Sequence, residues 1–120
     1  VWENFSQCEF AWNSFDNPAK LVTISNRGGN ADKVNWHPTS KPIELYHYLL
    51  RTFAKQGDKI FDSHLGSGSS RIAAYQMGFD FWSCEINKEF YDKQEERFRS
   101  ECLGETKTKD GRTLIQLSLF

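Results

Sequence analysis

The chemistry in this sequence concentrates at Asp62-Ser63-His64-Leu65-Gly66-Ser67-Gly68 and at Glu85, which follows Gly68 by 17 residues. Two glycines one residue apart let a backbone turn tightly and approach a ligand closely. A carboxylate about 20 residues further on, at the end of the next strand, is placed to accept hydrogen bonds from ribose hydroxyls. Together they point to a cofactor that contains a nucleoside. A Gly-x-Gly turn alone serves equally well to tighten a strand-to-helix connection, and it is Glu85 that moves the reading toward a ligand. The third glycine of the dinucleotide fingerprint is absent, because Arg71 stands where it would fall, and this argues against NAD or FAD. No Gly-Lys-Ser/Thr phosphate loop is present, so ATP hydrolysis has no support.

These residues need a strand, a turn, a helix and a second strand to hold them, and the sequence provides that order. Lys59 to Asp62 is a short β-prone run, a helix is expected from after Gly68 to about Met77 with Gly78 at its exit, and Phe79 to Glu85 is again strand-like. Before them, His37-Pro38-Thr39-Ser40-Lys41-Pro42 has the composition of a helix start, with Thr39 or Ser40 to cap free amides and Pro42 in the first turn. Ile43, Tyr46, Leu49 or Leu50, and Phe53 then recur at helical spacing. Asn87 can cap a third helix whose Tyr91, Gln94, Phe98 and Cys102 share a face, and Gly104 stops it. Nearer the start, Cys8 to Trp12 and Lys20 to Ile24 read as two extended stretches around Asp16-Asn17-Pro18, the pattern of a hairpin. Asn26 to Asn35 reads as an exposed loop.

Composition removes several function classes. The 120 residues, 38% hydrophobic and 26% charged, fit one globular domain, and no apolar run approaches the ~20 residues of a membrane helix. Fifteen basic against sixteen acidic residues leave a net charge of −1, so contact with nucleic acid must be local rather than driven by bulk charge. Cys8, Cys84 and Cys102 are odd in number and widely spaced, which argues against a disulfide framework or zinc site and reads as a reducing cytosol. His37, His47 and His64 add no metal-ligand spacing. The aromatic share of 15% is high for the length; Trp2, Trp12, Trp36 and Trp82 are read as core rather than base-stacking residues.

Three motifs in one order carry a resemblance: the segment His37 to Pro42, the segment Asp62 to Ser70, and Cys84-Glu85-Ile86-Asn87 with Tyr91 and Arg97. Over roughly Glu9 to Leu103 the chain resembles the DNA amino-methyltransferases dependent on S-adenosylmethionine, in particular prophage and restriction-modification adenine-N6 enzymes whose catalytic motif precedes the cofactor motifs. The resemblance implies an α/β fold, a partial Rossmann-like methyltransferase sheet with helices packed on it, in the cytoplasm of a bacterial or phage-infected cell. It implies that Asp62, His64, Gly66, Ser67 and Gly68 form the cofactor loop, that Glu85 holds the ribose, and that Thr39, Ser40 and Lys41 close over the methionine end, with Lys41 as counter-ion of its carboxylate. Read without the resemblance, Ser40 and Lys41 are a helix cap and an exposed lysine. Ser63-His64 stands where many members have Pro-Phe, and His64 can hydrogen-bond there instead of stacking an apolar ring.

The family holds its flipped target base with Asp, Asn or Ser followed by two prolines and an aromatic residue. Here the prolines are Pro18, Pro38 and Pro42, with no Pro-Pro pair. The expectation is that residues 1–104 are the cofactor-binding part of an enzyme whose catalytic motif lies upstream, with double-stranded DNA bound by the complete enzyme and no catalytic residue in this chain. Cytosine-N4 methylation is the alternative to adenine-N6, and a non-catalytic module that binds a replication sliding clamp is the alternative to an enzyme.

Residues 105–120 read as a tail. Gln116-Leu117-Ser118-Leu119-Phe120 resembles the pentapeptide by which bacterial proteins bind the replication sliding clamp, with Leu119 and Phe120 as apolar anchors and Gln116 as the polar one. The alternative is an edge strand over Leu114 to Phe120 that buries Ile115, Leu117 and Leu119.

Overall fold

The computed structural model describes residues 9–24 and 34–116. Its centre is the βαβ unit expected from the sequence. Strand β1 (Lys59–Asp62) leads through the glycine turn into helix α2 (Ser69–Gln76), and strand β2 (Asp80–Ser83) returns parallel to β1, with Lys59 opposite Asp80 and Asp62 opposite Ser83. Helix α1 (Ile43–Phe53) precedes the unit, and helix α3 (Lys88–Leu103) follows it. Ile43, Ile72, Ala73 and Phe98 form the core, with Tyr46, Leu50 and Cys102 packed around them. Thus α1 presents the face its apolar spacing predicts, and α2 is the inner layer because alanines let its neighbours approach closely. His47 joins α1 to α2 through Gln76 at 2.8 Å.

The ends of α3 follow their signals. The Asn87 side chain accepts the Phe90 amide at 3.0 Å, and Gly104 ends the helix at φ 67°, left-handed. On the inner face Gln94 and Phe98 are buried, but Tyr91 is 49% exposed. The outer face carries the i,i+4 ion pairs Lys88–Asp92, Lys93–Glu89 and Arg99–Glu95, the solvated surface its mixed charge implies. Beyond Gly104 the chain folds into an antiparallel pair, β3 (Glu105–Lys107) with β4 (Thr113–Ile115). Leu114 and Ile115 are 56% and 60% exposed, so β4 does not bury Ile115 as an edge strand would; Leu117, Leu119 and Phe120 lie outside the described residues.

Two expectations for the segment before α1 fail. No strand forms between Glu9 and Ile24, and Cys8 lies outside the described residues. Phe10, Trp12 and Leu21 point into solvent, and an isolated two-stranded ribbon without a packed face is marginal in water. The segment is held instead by a Phe15–Phe53 ring stack at 4.8 Å and by Glu9. Nor do Thr39 and Ser40 cap α1: Pro42 occupies the N-cap position without a side-chain bond, and its extended backbone starts the helix at Ile43.

One face of the β1–β2 pair, carrying Ile60, Asp62, Phe81 and Ser83, turns inward. The other exposes Phe61 at 65% and Trp82 at 52%, so Trp82 and the solvent-facing Trp12 are not core residues. Parallel sheets are normally covered on both faces, whereas among the described residues the helices cover one face of this pair.

Candidate cofactor site

The site is built at the carboxyl edge of the two parallel strands. The ladder continues past β1 through the Cys84 amide to the Asp62 carbonyl at 3.1 Å and the Leu65 amide to the Cys84 carbonyl at 3.0 Å. This brings the glycine turn beside the end of β2. Asp62 then shapes the turn from its start: its carboxylate accepts the His64 amide at 3.0 Å and the Ser70 hydroxyl at 2.5 Å. Gly66 and Gly68 both have left-handed backbones, φ 58° and 83°. Each also has a neighbour where a side chain would go. A β-carbon would lie 3.1 Å from His37 Nε2 at Gly66 and 3.2 Å from Gln94 Cβ at Gly68.

Glu85 ties the two loops together. One oxygen accepts the Gly66 amide at 2.7 Å and the other the Asn87 amide at 2.9 Å. These hydrogen bonds, that from Asn87 foremost, hold its carboxyl below the usual glutamate range against a smaller opposing effect of burial. It is therefore an anion at neutral pH. Two amides use only part of a carboxylate's four lone-pair directions, so Glu85 keeps capacity to accept from a diol. An open cleft of about 350 Å³ lies against it, lined by Ser63, His64, Cys84, Glu85 and Ile86. Ile86 is fully exposed there, and His64 Nδ1 shares a hydrogen with Ser63 Oγ at 2.8 Å. A second cleft, about 320 Å³, opens between α1 and β1 and includes Tyr46, Asp62 and Ser70. Burial foremost, with the Asp62 charge, raises the Tyr46 phenol above its ordinary value.

The segment before α1 reaches the turn from the other side. Ser40 Oγ lies 2.8 Å from Ser67 Oγ, which explains why Ser40 is not free to cap the helix. Thr39 is exposed, with its amide 3.3 Å from His37 Nδ1. Lys41 is not a bare lysine: its Nζ contacts both Glu9 oxygens, at 2.6 and 2.9 Å. The donor set of a carboxylate-binding lysine is thus present and satisfied by a carboxylate of the chain itself. Taken together, an ionised acceptor beside a cleft, glycines that admit a close approach and a lysine–serine segment fit a nucleoside cofactor that carries an amino-acid end.

Residues 1–96 match the family model for DNA methylases. The chain belongs to the DNA methylase family. This methylase chain is 32% identical over 68 residues to the type II methyltransferase M.HpaI of Haemophilus parainfluenzae, covering 57% of the chain and 22% of that relative. It is likewise 32% identical over 65 residues to M2.DpnII of Streptococcus pneumoniae, covering 54% and 24%. The M1.HpyAVI–SAM complex shares the fold with a TM-score of 0.56 at 22% identity, over 77% of this chain and 45% of that one. The chain therefore spans under a quarter of those curated relatives.

Several residues at the methylase site carry no signal in a local reading. Trp36, His37 and Phe90 form an aromatic cluster over Gly66, with His37 and Phe90 ring centres 4.5 Å apart. Arg71, standing where the dinucleotide fingerprint has glycine, turns toward α3, where it lies over the Phe98 ring at 3.7 Å and bonds Glu95 and Gln94. That bond fixes the Gln94 amide with its oxygen toward Arg71 and leaves Gln94 Nε2 buried without a partner among the described residues.

Proposed function

We propose that this chain is the cofactor-binding part of a DNA amino-methyltransferase that takes methyl groups from S-adenosylmethionine, with adenine N6 as the acceptor. The observation that carries the reading is Glu85, held ionised by the Gly66 and Asn87 amides at the mouth of a cleft. In this reading Glu85 accepts the ribose hydroxyls, and Asp62 fixes the turn through Ser70 and His64. Gly66, Ser67 and Gly68 let the backbone approach, and His64 lines the nucleoside side. Lys41 and Ser40, with Thr39 beside them, hold the methionine end once Lys41 exchanges Glu9 for the ligand carboxylate. The cofactor supplies a methyl group made electrophilic by its sulfonium; the chain's work is to bind and orient it, which requires no strong base.

With no Pro-Pro pair to hold a flipped base, the chain alone binds cofactor and does not methylate. Calorimetry with S-adenosylmethionine tests the first half: wild type binds, and Glu85→Ala weakens binding. No binding by wild type refutes the proposal. Tritium transfer to duplex DNA tests the second, and robust incorporation by this polypeptide refutes it. For the complete enzyme, nucleoside analysis decides between N6-methyladenine and the N4-methylcytosine alternative.

A second reading concerns the partner of the last five residues. The Gln116 amide donates to the Gly104 carbonyl at 2.9 Å, which anchors the first residue of the clamp-like pentapeptide beside the end of α3. In this reading Leu119 and Phe120 enter an apolar pocket of a bacterial sliding clamp. Retention of the chain on immobilised clamp falls on deletion of residues 117–120; equal retention removes the reading.

A further inference from the structure

The buried arginine of α3 has a task beyond packing. Arg97 has 7% of its side chain exposed and projects under the glycine turn. Its Nη1 donates to the Ser67 carbonyl at 3.0 Å and the Ser69 hydroxyl at 2.9 Å, with the Ser67 hydroxyl at 3.4 Å, while its Nε pairs with Glu101 at 3.0 Å. Taking a guanidinium out of water is costly unless its donors are matched, and here they are matched to the residues on either side of the left-handed Gly68. Ser67 is also the residue whose hydroxyl meets Ser40, 27 positions away in the chain. Arg97 can only donate, so it does not consume the Ser67 hydroxyl hydrogen, and that hydroxyl stands between Ser40 at 2.8 Å and Ser69 at 3.3 Å. A continuous polar chain thus runs from Glu101 through Arg97 and Ser67 to Ser40, crossing from α3 under the turn to the segment before α1.

Resting on the cofactor reading above, we propose that Arg97 is a positioning residue that sets the Ser40–Lys41 segment relative to the glycine turn, so that the methionine and nucleoside ends of the cofactor are held in fixed relation. A lysine would keep the charge but not the planar fork that spans Ser67, Ser69 and Glu101 at once. An arginine serving stability alone would affect every ligand of the site alike. A positioning arginine affects a ligand according to whether it reaches the Ser40 segment.

The experiment measures, by calorimetry on the full chain, affinities for S-adenosylmethionine and for 5′-methylthioadenosine, which has the nucleoside but no amino-acid end. Arg97→Lys is expected to weaken S-adenosylmethionine roughly tenfold while changing 5′-methylthioadenosine less than about twofold, within the range of coupling between sites. The effect of Ser40→Ala on S-adenosylmethionine is expected to vanish in the Arg97→Lys background. Equal losses for both ligands, or full additivity with Ser40→Ala, overturn the inference. Should Arg97→Lys not fold, Glu101→Gln loosens the same chain at the Arg97 Nε end and must give the same selective loss; a ligand-independent effect then overturns it. Wild type binding neither ligand overturns the cofactor reading and this inference with it, whereas binding without selectivity in the variants overturns the inference alone.

Discussion

The Glu85 carboxylate accepts the Gly66 amide at 2.7 Å, so the residue that ends β2 holds the glycine turn that follows β1. One side chain thereby joins the two loops between which the cleft opens, and removing it has structural as well as binding consequences. Glu85→Gln keeps the shape but weakens both charge-assisted bonds, and we expect a loss of about 1 kcal/mol on chemical denaturation at neutral pH. The native carboxyl titrates below the ordinary glutamate value of about 4.3. An unfolded chain therefore takes up this proton at higher pH than the folded one. The contribution is complete above the ordinary value and is lost as pH falls through the depressed native value. Urea melts of wild type and Glu85→Gln should converge as pH falls below the ordinary glutamate value. A constant gap contradicts the assignment.

At Gly68 two costs coincide, a left-handed backbone and the approach of Gln94 Cβ to 3.2 Å from any added carbon. Gly68→Ala should destabilise by about 1–3 kcal/mol, read as a lower denaturation midpoint at unchanged slope. Gly78, which also has a left-handed backbone but open space around it, isolates the first cost: Gly78→Ala should lose less.

Glu9 competes for the lysine assigned to the ligand carboxylate. The Lys41–Glu9 pair is solvent-exposed, 37% and 66% for the two side chains, and exposed pairs contribute at most about 1 kcal/mol. Glu9→Gln should therefore raise S-adenosylmethionine affinity by up to about fivefold in calorimetry, with no gain for 5′-methylthioadenosine. A fall in affinity would place Glu9 among the ligand's supports rather than its competitors.

The Asn87 cap supports α3 at the end nearest Glu85. Asn87→Ala should cost about 1 kcal/mol, and Asn87→Ser or Asn87→Asp should restore most of it, measured by thermal or urea melts.

What the sequence made legible was local. The β1 boundaries, the α2 exit at Gly78, the Asn87 cap and the Gly104 stop are decided by residues within a turn of one another, and all are found where expected. The hairpin over residues 8–24 fails because alternation says which face could be buried but not whether anything exists to bury it against. Ser40 fails as a cap for a related reason: its hydroxyl is claimed by Ser67, and no local rule anticipates a partner 27 residues away. Arg97 was visible as a motif residue, yet its partners became evident only once α3 was laid under the turn. The Trp36–His37–Phe90 cluster belongs to the same class, since its members are brought together by tertiary packing.

Helix α3 begins beside Glu85 and ends at Gly104, to whose carbonyl Gln116 returns. Its 16 residues make a rod about 24 Å long. The Glu85 cleft and the Gly104–Gln116 contact are therefore at opposite ends of one stiff spacer. Under the clamp reading proposed above, tethering and cofactor exchange use separate ends of α3.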